Sequence, residues 1–130
     1  MNIQYDVVTD RAFDAVVSDV ERFTVVKSFR VLHVHDVQAT LAEKGLKREP
    51  LKIIEICNSK FAHEALKKDM NVSLFMPCKI NVYTENGRTK IKAMRPAAIA
   101  DFLPDAGLEA LAAEVDRVVT EIVDRSAKGK

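Results

Sequence analysis

The sequence predicts an α+β fold: a mainly antiparallel sheet of four to five strands with helices packed on one face. Three observations predict it. Apolar residues recur at three- and four-residue spacing around Phe13–Phe23 and Leu108–Val123, so each segment makes a helix with a single apolar stripe. Runs such as Phe29–Asp36 and Val72–Thr84 alternate as half-buried strands do. Asn86-Gly87, between two such runs, accepts the positive φ angles of a two-residue hairpin and makes the flanking strands antiparallel. One-sided helices and hairpin strands bury their apolar faces against one another.

Ile3–Thr9 is β-prone, and Asp10 is placed to cap the helix that carries Phe13, Val16, Val17, Val20 and Phe23. Strict alternation in the second strand puts Phe29, Val31, His33 and His35 on one side and Arg30, Leu32, Val34 and Asp36 on the other. Asp36 then caps a short helix that Gly45 ends, with Leu46 packing back on it. Leu51–Cys57 reads as an interior strand, followed by a helix capped by Asn58 or Ser59 with Phe61, Ala62, Ala65 and Leu66 inward. The next strand is expected from Val72, with Leu74, Met76, Cys78, Ile80 and Val82 on one side, and Thr89–Arg95 returns beside it. Pro96–Pro104 is expected as a connector, and Asp105 as the start of the last helix.

The 130 residues read as one domain, 1–130, with 126–130 a flexible tail. The N-terminus lacks a basic segment followed by an apolar core, and no apolar run reaches the ~20 residues that span a bilayer, so the expectation is a cytoplasmic protein that does not engage membranes. Two cysteines do not make a disulfide framework, and free thiols are the default in a reducing compartment.

Lys and Arg number 4 against 7 Asp and Glu in residues 1–43, 12 against 5 in 44–95 and 4 against 7 in 96–130, a basic middle between acidic ends. Acidic outer faces on the terminal helices compensating a basic sheet or helix explain this, with an anion-binding or self-complementary surface as the sharper alternative. A net charge of +1, 6% aromatics and no Trp argue against nucleic-acid binding. There is no glycine-rich phosphate loop, nucleophile elbow or H-E-x-x-H, and no cofactor is implied.

The strand ending IEICN, the helix after it with Phe61, Ala62 and Leu66, the strand LFMPCKINVY with its Pro77-Cys78 pair, the Asn86-Gly87 hairpin and the Arg95-Pro96 exit together span most of the chain. In these segments the chain resembles domain of unknown function family 302, a bacterial and archaeal family with no assigned activity. The resemblance implies a compact α+β domain that tends to be homodimeric through its sheet. It carries no catalytic residue over to this chain.

Chemistry must therefore be sought in the residues themselves. Cys57 ends a strand where a helix begins, and helix-terminal amides can lower a thiol's pKa and make it nucleophilic; Cys78 is its possible partner. Both cysteines can equally pack as small hydrophobes. His33 and His35 lie two apart on one strand and could offer imidazoles to a metal, with Glu55 or a thiol completing the shell, although solvated or dimer-facing histidines explain the same pattern and no metal site is expected. The reading is a non-enzymatic homodimeric domain that binds a small ligand or partner on the helix-free sheet face bearing His33, His35 and Glu55. The alternative is redox or sulfur-transfer chemistry with Cys57 as reactive thiol and Cys78 as partner.

Overall fold

A computed structural model describes residues 2–130. The strands are β1 (Gln4–Thr9), β2 (Arg30–Asp36), β3 (Leu51–Cys57), β4 (Cys78–Glu85) and β5 (Arg88–Met94). They form one sheet in the order β1-β5-β4-β3-β2, and every neighbouring pair is antiparallel. The helices are α1 (Phe13–Val26), α2 (Val37–Ala42), α3 (Ser59–Lys68), α4 (Ala97–Phe102) and α5 (Glu109–Lys128), with a 3-10 helix at Met70–Phe75. This is the expected α+β architecture.

The core lies between the sheet and the pair α1 and α5. Val16, Val20 and Phe23 of α1 and Val119, Ile122 and Val123 of α5 meet Ile54, Ile56, Ile80, Val82 and Ile91 of the sheet. Removing these branched side chains from water is the main force holding the layers together. The hairpin forms as expected, with Asn86 at φ 53 and Gly87 at φ 76 between the paired Glu85 and Arg88.

Local chemistry sets the remaining boundaries. Asp36 caps α2 by accepting from Ala39 N–H at 2.9 Å, and Asn58 caps α3 by accepting from Phe61 N–H at 3.0 Å. Asp10 does not cap α1; Ala12 holds that position, and Asp10 instead accepts from Arg88 Nε at 2.9 Å. The stretch expected to open β4 at Val72 is a 3-10 helix, because the Asp69 carboxylate accepts from Asn71 N–H at 2.8 Å and starts a turn there. Pro96 opens α4 in what was read as a connector, and α5 begins at Glu109 rather than Asp105. The segment expected as a tail from Ser126 is helical: Ser126 has no exposed surface and donates to Ile122 O at 2.7 Å, and α5 continues to Lys128 and closes on Gly129 at φ 82.

In β2 strict alternation fails. Val31 stands opposite Ile56, but a bulge shifts the register before His33, which stands opposite Glu55. Phe29 and Val31 pack with the core while His33 and His35 turn to the other face. The four residues read as one side are divided between two.

Candidate functional site

The helix-free face carries His33 and His35 on β2, Glu55 on β3 and Asn81 and Tyr83 on β4. His33 and Glu55 are direct cross-strand partners, and the two imidazole rings stack with centroids 6.3 Å apart. His35 Nε2 lies 3.1 Å from Thr40 Oγ1, so α2 flanks this face at one end. Among the described residues no group of three or more His, Cys, Asp or Glu is arranged to hold a metal ion, so His33, His35 and Glu55 do not make a shell. Nearby, Lys90 pairs with Glu85 at 2.6 Å and Lys92 with Asp6 at 3.9 Å, while Lys79 stands directly opposite Glu55. Asn81 Oδ1 is buried without a hydrogen-bond partner.

The opposite side of the sheet holds an apolar cavity of ≈ 80 Å³ where the end of β3 and the start of β4 meet α3, α4 and α5. Ile56, Phe61, Val72, Ile99, Leu111 and Val115 are among its walls. Asn58 is the one lining residue with a polar side-chain amide, and that amide is spent: its oxygen caps α3, and its nitrogen donates to Ser28 O at 3.0 Å. At its edge Phe75 stacks on Phe102 with centroids 5.5 Å apart. Phe102 is 46% exposed, and Leu74, the neighbour of Phe75 in sequence, is 81% exposed.

Cys57 and Cys78 are both among the residues lining this cavity, on neighbouring strands, with Cys78 opposite Ile56 and Cys57 one residue on. Neither thiol is activated. Burial pushes the Cys57 thiol up, and burial together with the nearby Cys57 raises Cys78 to about 11, against a smaller opposing pull from Lys79. Cys57 precedes the cap Asn58 instead of sitting in the first turn of α3, and burial alone sets the direction of its shift.

Comparison with other proteins places this geometry in a family. Residues 5–126 match the family described as domain of unknown function DUF302. The chain belongs to the DUF302 family. A crystal structure of an uncharacterized conserved DUF302 protein from Bacillus stearothermophilus superposes with a TM-score of 0.90 at 31% identity, covering 97% of this chain and 99% of that one. Among curated proteins none matches.

The segments in which the chain resembles DUF302 proteins converge on the cavity. Ten of its eighteen lining residues come from IEICN, from the Phe61-Ala62 pair, from LFMPC and from Arg95-Pro96. Sequence reasoning singled out the thiols but not the cavity, whose walls Phe61, Val72, Leu111 and Val115 read as ordinary stripe residues.

Proposed function

We propose that this DUF302 domain is a homodimeric binding protein whose small, apolar ligand occupies the cavity beside Cys57 and Cys78. The observation that carries this reading is the lining: eighteen residues with two un-ionised thiols, one fully bonded amide and otherwise apolar surface. Such a wall offers dispersion and desolvation but no acid, base or oxyanion donor. Phe102, stacked on the lining residue Phe75 and 46% exposed, carries apolar surface from the cavity edge toward solvent.

In this reading the helix-free face serves self-association, with Tyr83, Ile53 and Leu51 as apolar contacts and His33, His35 and Glu55 among the polar ones. The test is methyl-detected NMR with benzene as probe. Shifts confined to Ile56, Val72, Ile99, Leu111 and Val115, reduced by Ala65→Leu, are expected; shifts scattered over the surface, or none, overturn the ligand site. Sedimentation of Tyr83→Glu against the native chain, expected to show a shift from dimer to monomer, tests the association face.

A second reading is favoured by the neighbouring positions of the two cysteines, Cys78 opposite Ile56 and Cys57 one residue on. A low-molecular-weight disulfide could accept attack by the Cys57 thiolate, releasing one thiol, and Cys78 would then displace the second with formation of a Cys57–Cys78 disulfide. Incubation with oxidised glutathione followed by intact-mass analysis tests it. Loss of two hydrogen masses supports the pair, and an unchanged mass excludes it.

A further inference from the structure

We propose that the outer edge of β1 is an interaction surface for β1 of a second copy of this chain, paired antiparallel and centred on Val7, so that two sheets continue into one. β1 and β2 are the two edges of the sheet, and they differ. A bulge between Val31 and His33 breaks the register of β2, and a bulge twists an edge away from a further strand. β1 keeps unbroken register with β5 from Gln4 to Thr9, and it contains no proline or lysine of the kind that closes an edge to pairing.

The parity of the hydrogen bonds shows which backbone groups are free. Arg95 N–H donates to Ile3 O at 2.8 Å, so Ile3, Tyr5, Val7 and Thr9 turn their backbone groups to β5, and those of Gln4, Asp6 and Val8 point away from the sheet. Asn2 Oδ1 takes the Gln4 N–H at 3.2 Å. Asp6 and Val8 are left with a donor and an acceptor each on an exposed edge, where Val8 is 43% exposed. Such a row is a template for an added strand.

Side chains then select the register. With Asp6 opposite its own counterpart, two carboxylates would face each other directly, which is destabilising. Centring the pair on Val7 puts Asp6 of each copy opposite Val8 of the other, and each of these N–H groups donates to the facing carbonyl across a two-fold axis. Val7, which packs against the core on the helix side, meets its own counterpart there. Asp6 keeps Lys92 beside it at 3.9 Å, and beyond the facing Val8 lies Lys90 of the second copy.

This edge is a different surface from the helix-free face proposed above for self-association, whose Tyr83, Ile53 and Leu51 lie on β4 and β3, beyond β5. The edge contact is also small, so it is populated at high protein concentration and is read by trapping rather than by sedimentation.

Engineered cysteines on β1 test the pairing. Opposed Cα atoms in a non-hydrogen-bonded pair lie ~4.5 Å apart, within disulfide reach, so Val7→Cys should form an intermolecular disulfide at position 7 on mild oxidation. Asp6→Cys should not, because in this register the two copies of position 6 are offset by two residues and lie roughly 9 Å apart. Peptide mass spectrometry separates these bonds from any that involve Cys57 or Cys78. Val8→Pro removes only an outward N–H, and in the Val7→Cys background it should lower the disulfide yield ~10-fold or more, with circular dichroism confirming the fold. If that variant does not fold, the contrast between positions 7 and 6 decides. Tyr83→Glu should leave the position 7 disulfide in place. No disulfide at position 7, an equal yield at position 6, or a yield that survives Val8→Pro overturns the edge pairing. Loss of the disulfide with Tyr83→Glu overturns it as well and assigns the contact to the helix-free face; a disulfide that persists while Tyr83→Glu does not change sedimentation leaves the edge standing and removes the face.

Discussion

Arg95 holds Asp116 through two hydrogen bonds, Nη2 to Oδ1 at 2.8 Å and Nε to Oδ2 at 3.2 Å, and Ala97 N–H donates to the same carboxylate at 3.1 Å. Asp116 is only 6% exposed, on the stretch of α5 between Val115 and Val119. One buried carboxylate therefore ties the end of β5 and the start of α4 to the helix that walls the cavity. Arg95-Pro96 is thus a structural clamp, and it sets Pro96 and Ile99 against Ala112 and Val115 around the cavity.

Burial alone would raise the Asp116 carboxyl, but the Arg95 bonds, the Ala97 amide and the Arg95 charge together hold it below the usual carboxylate range. A carboxyl with a depressed folded pKa contributes stability above its unfolded pKa and loses it as pH falls through the folded value. Asp116→Asn should therefore cost about 2 kcal/mol at pH 7 and lose less of its remaining stability than the native chain below about pH 4. Urea unfolding of both proteins between neutral and acid pH measures this. Parallel pH curves would show that the pair is not coupled to folding.

The raised thiol pKa values predict slow alkylation. At pH 7 iodoacetamide should react with Cys57 more slowly than with a free cysteine, and with Cys78 more slowly still, because both are held as thiols. For Cys78 the rate should climb toward a midpoint of about 11. The linked stability is present below the unfolded pKa and is lost as pH rises through the folded one, so the native chain should lose stability on the alkaline side and Cys78→Ala should lose less. Peptide-resolved mass spectrometry of labelling across pH gives the rates, and a Cys78 midpoint at or below the free-thiol value would contradict the desolvated site.

Ile80 has no exposed surface and pairs with Ile54 in the centre of the sheet. Ile80→Ala should destabilise by about 2–5 kcal/mol, the transfer loss plus the void it leaves. Ile53→Ala, one residue from Ile54 on the helix-free face, should cost about 1 kcal/mol or less in the monomer. Equal losses would mean that the two faces are equally buried.

The C-terminus makes a fourth test. Gly129 adopts φ +82, and a Cβ there would lie 2.7 Å from Arg11 Cζ. That guanidinium is fixed from two sides, donating to Ser126 O at 2.6 Å and pairing with Asp19 at 2.8 Å. Gly129→Ala should cost about 1–2 kcal/mol from the left-handed backbone alone, with a further loss that Arg11→Ala relieves. Thermal unfolding of the single and double variants separates the two contributions, and an unchanged melting temperature would imply that residues after Ser126 are not docked.

The amino-acid sequence by itself determined most of the strands and the one-sided helices, the hairpin at Asn86-Gly87, the cap at Asp36 and, as one of two candidates, the cap at Asn58. Each is decided within a few residues, by side-chain spacing or by a local hydrogen bond. Tertiary structure decided the strand register and the cavity, and one further local bond overrode the pattern. A bulge after Val31 turned His33 and His35 away from the face of Phe29, because pairing register depends on the partner strand. Asp69 drew the stretch after it into a 3-10 helix and left Leu74 exposed, a local bond overriding an alternating pattern. The cavity is built from chain segments far apart in sequence, so no spacing could announce that Cys57, Met76, Cys78 and Pro96 meet there. Periodicity tells which side of an element is buried, and long-range packing decides what that side is buried against.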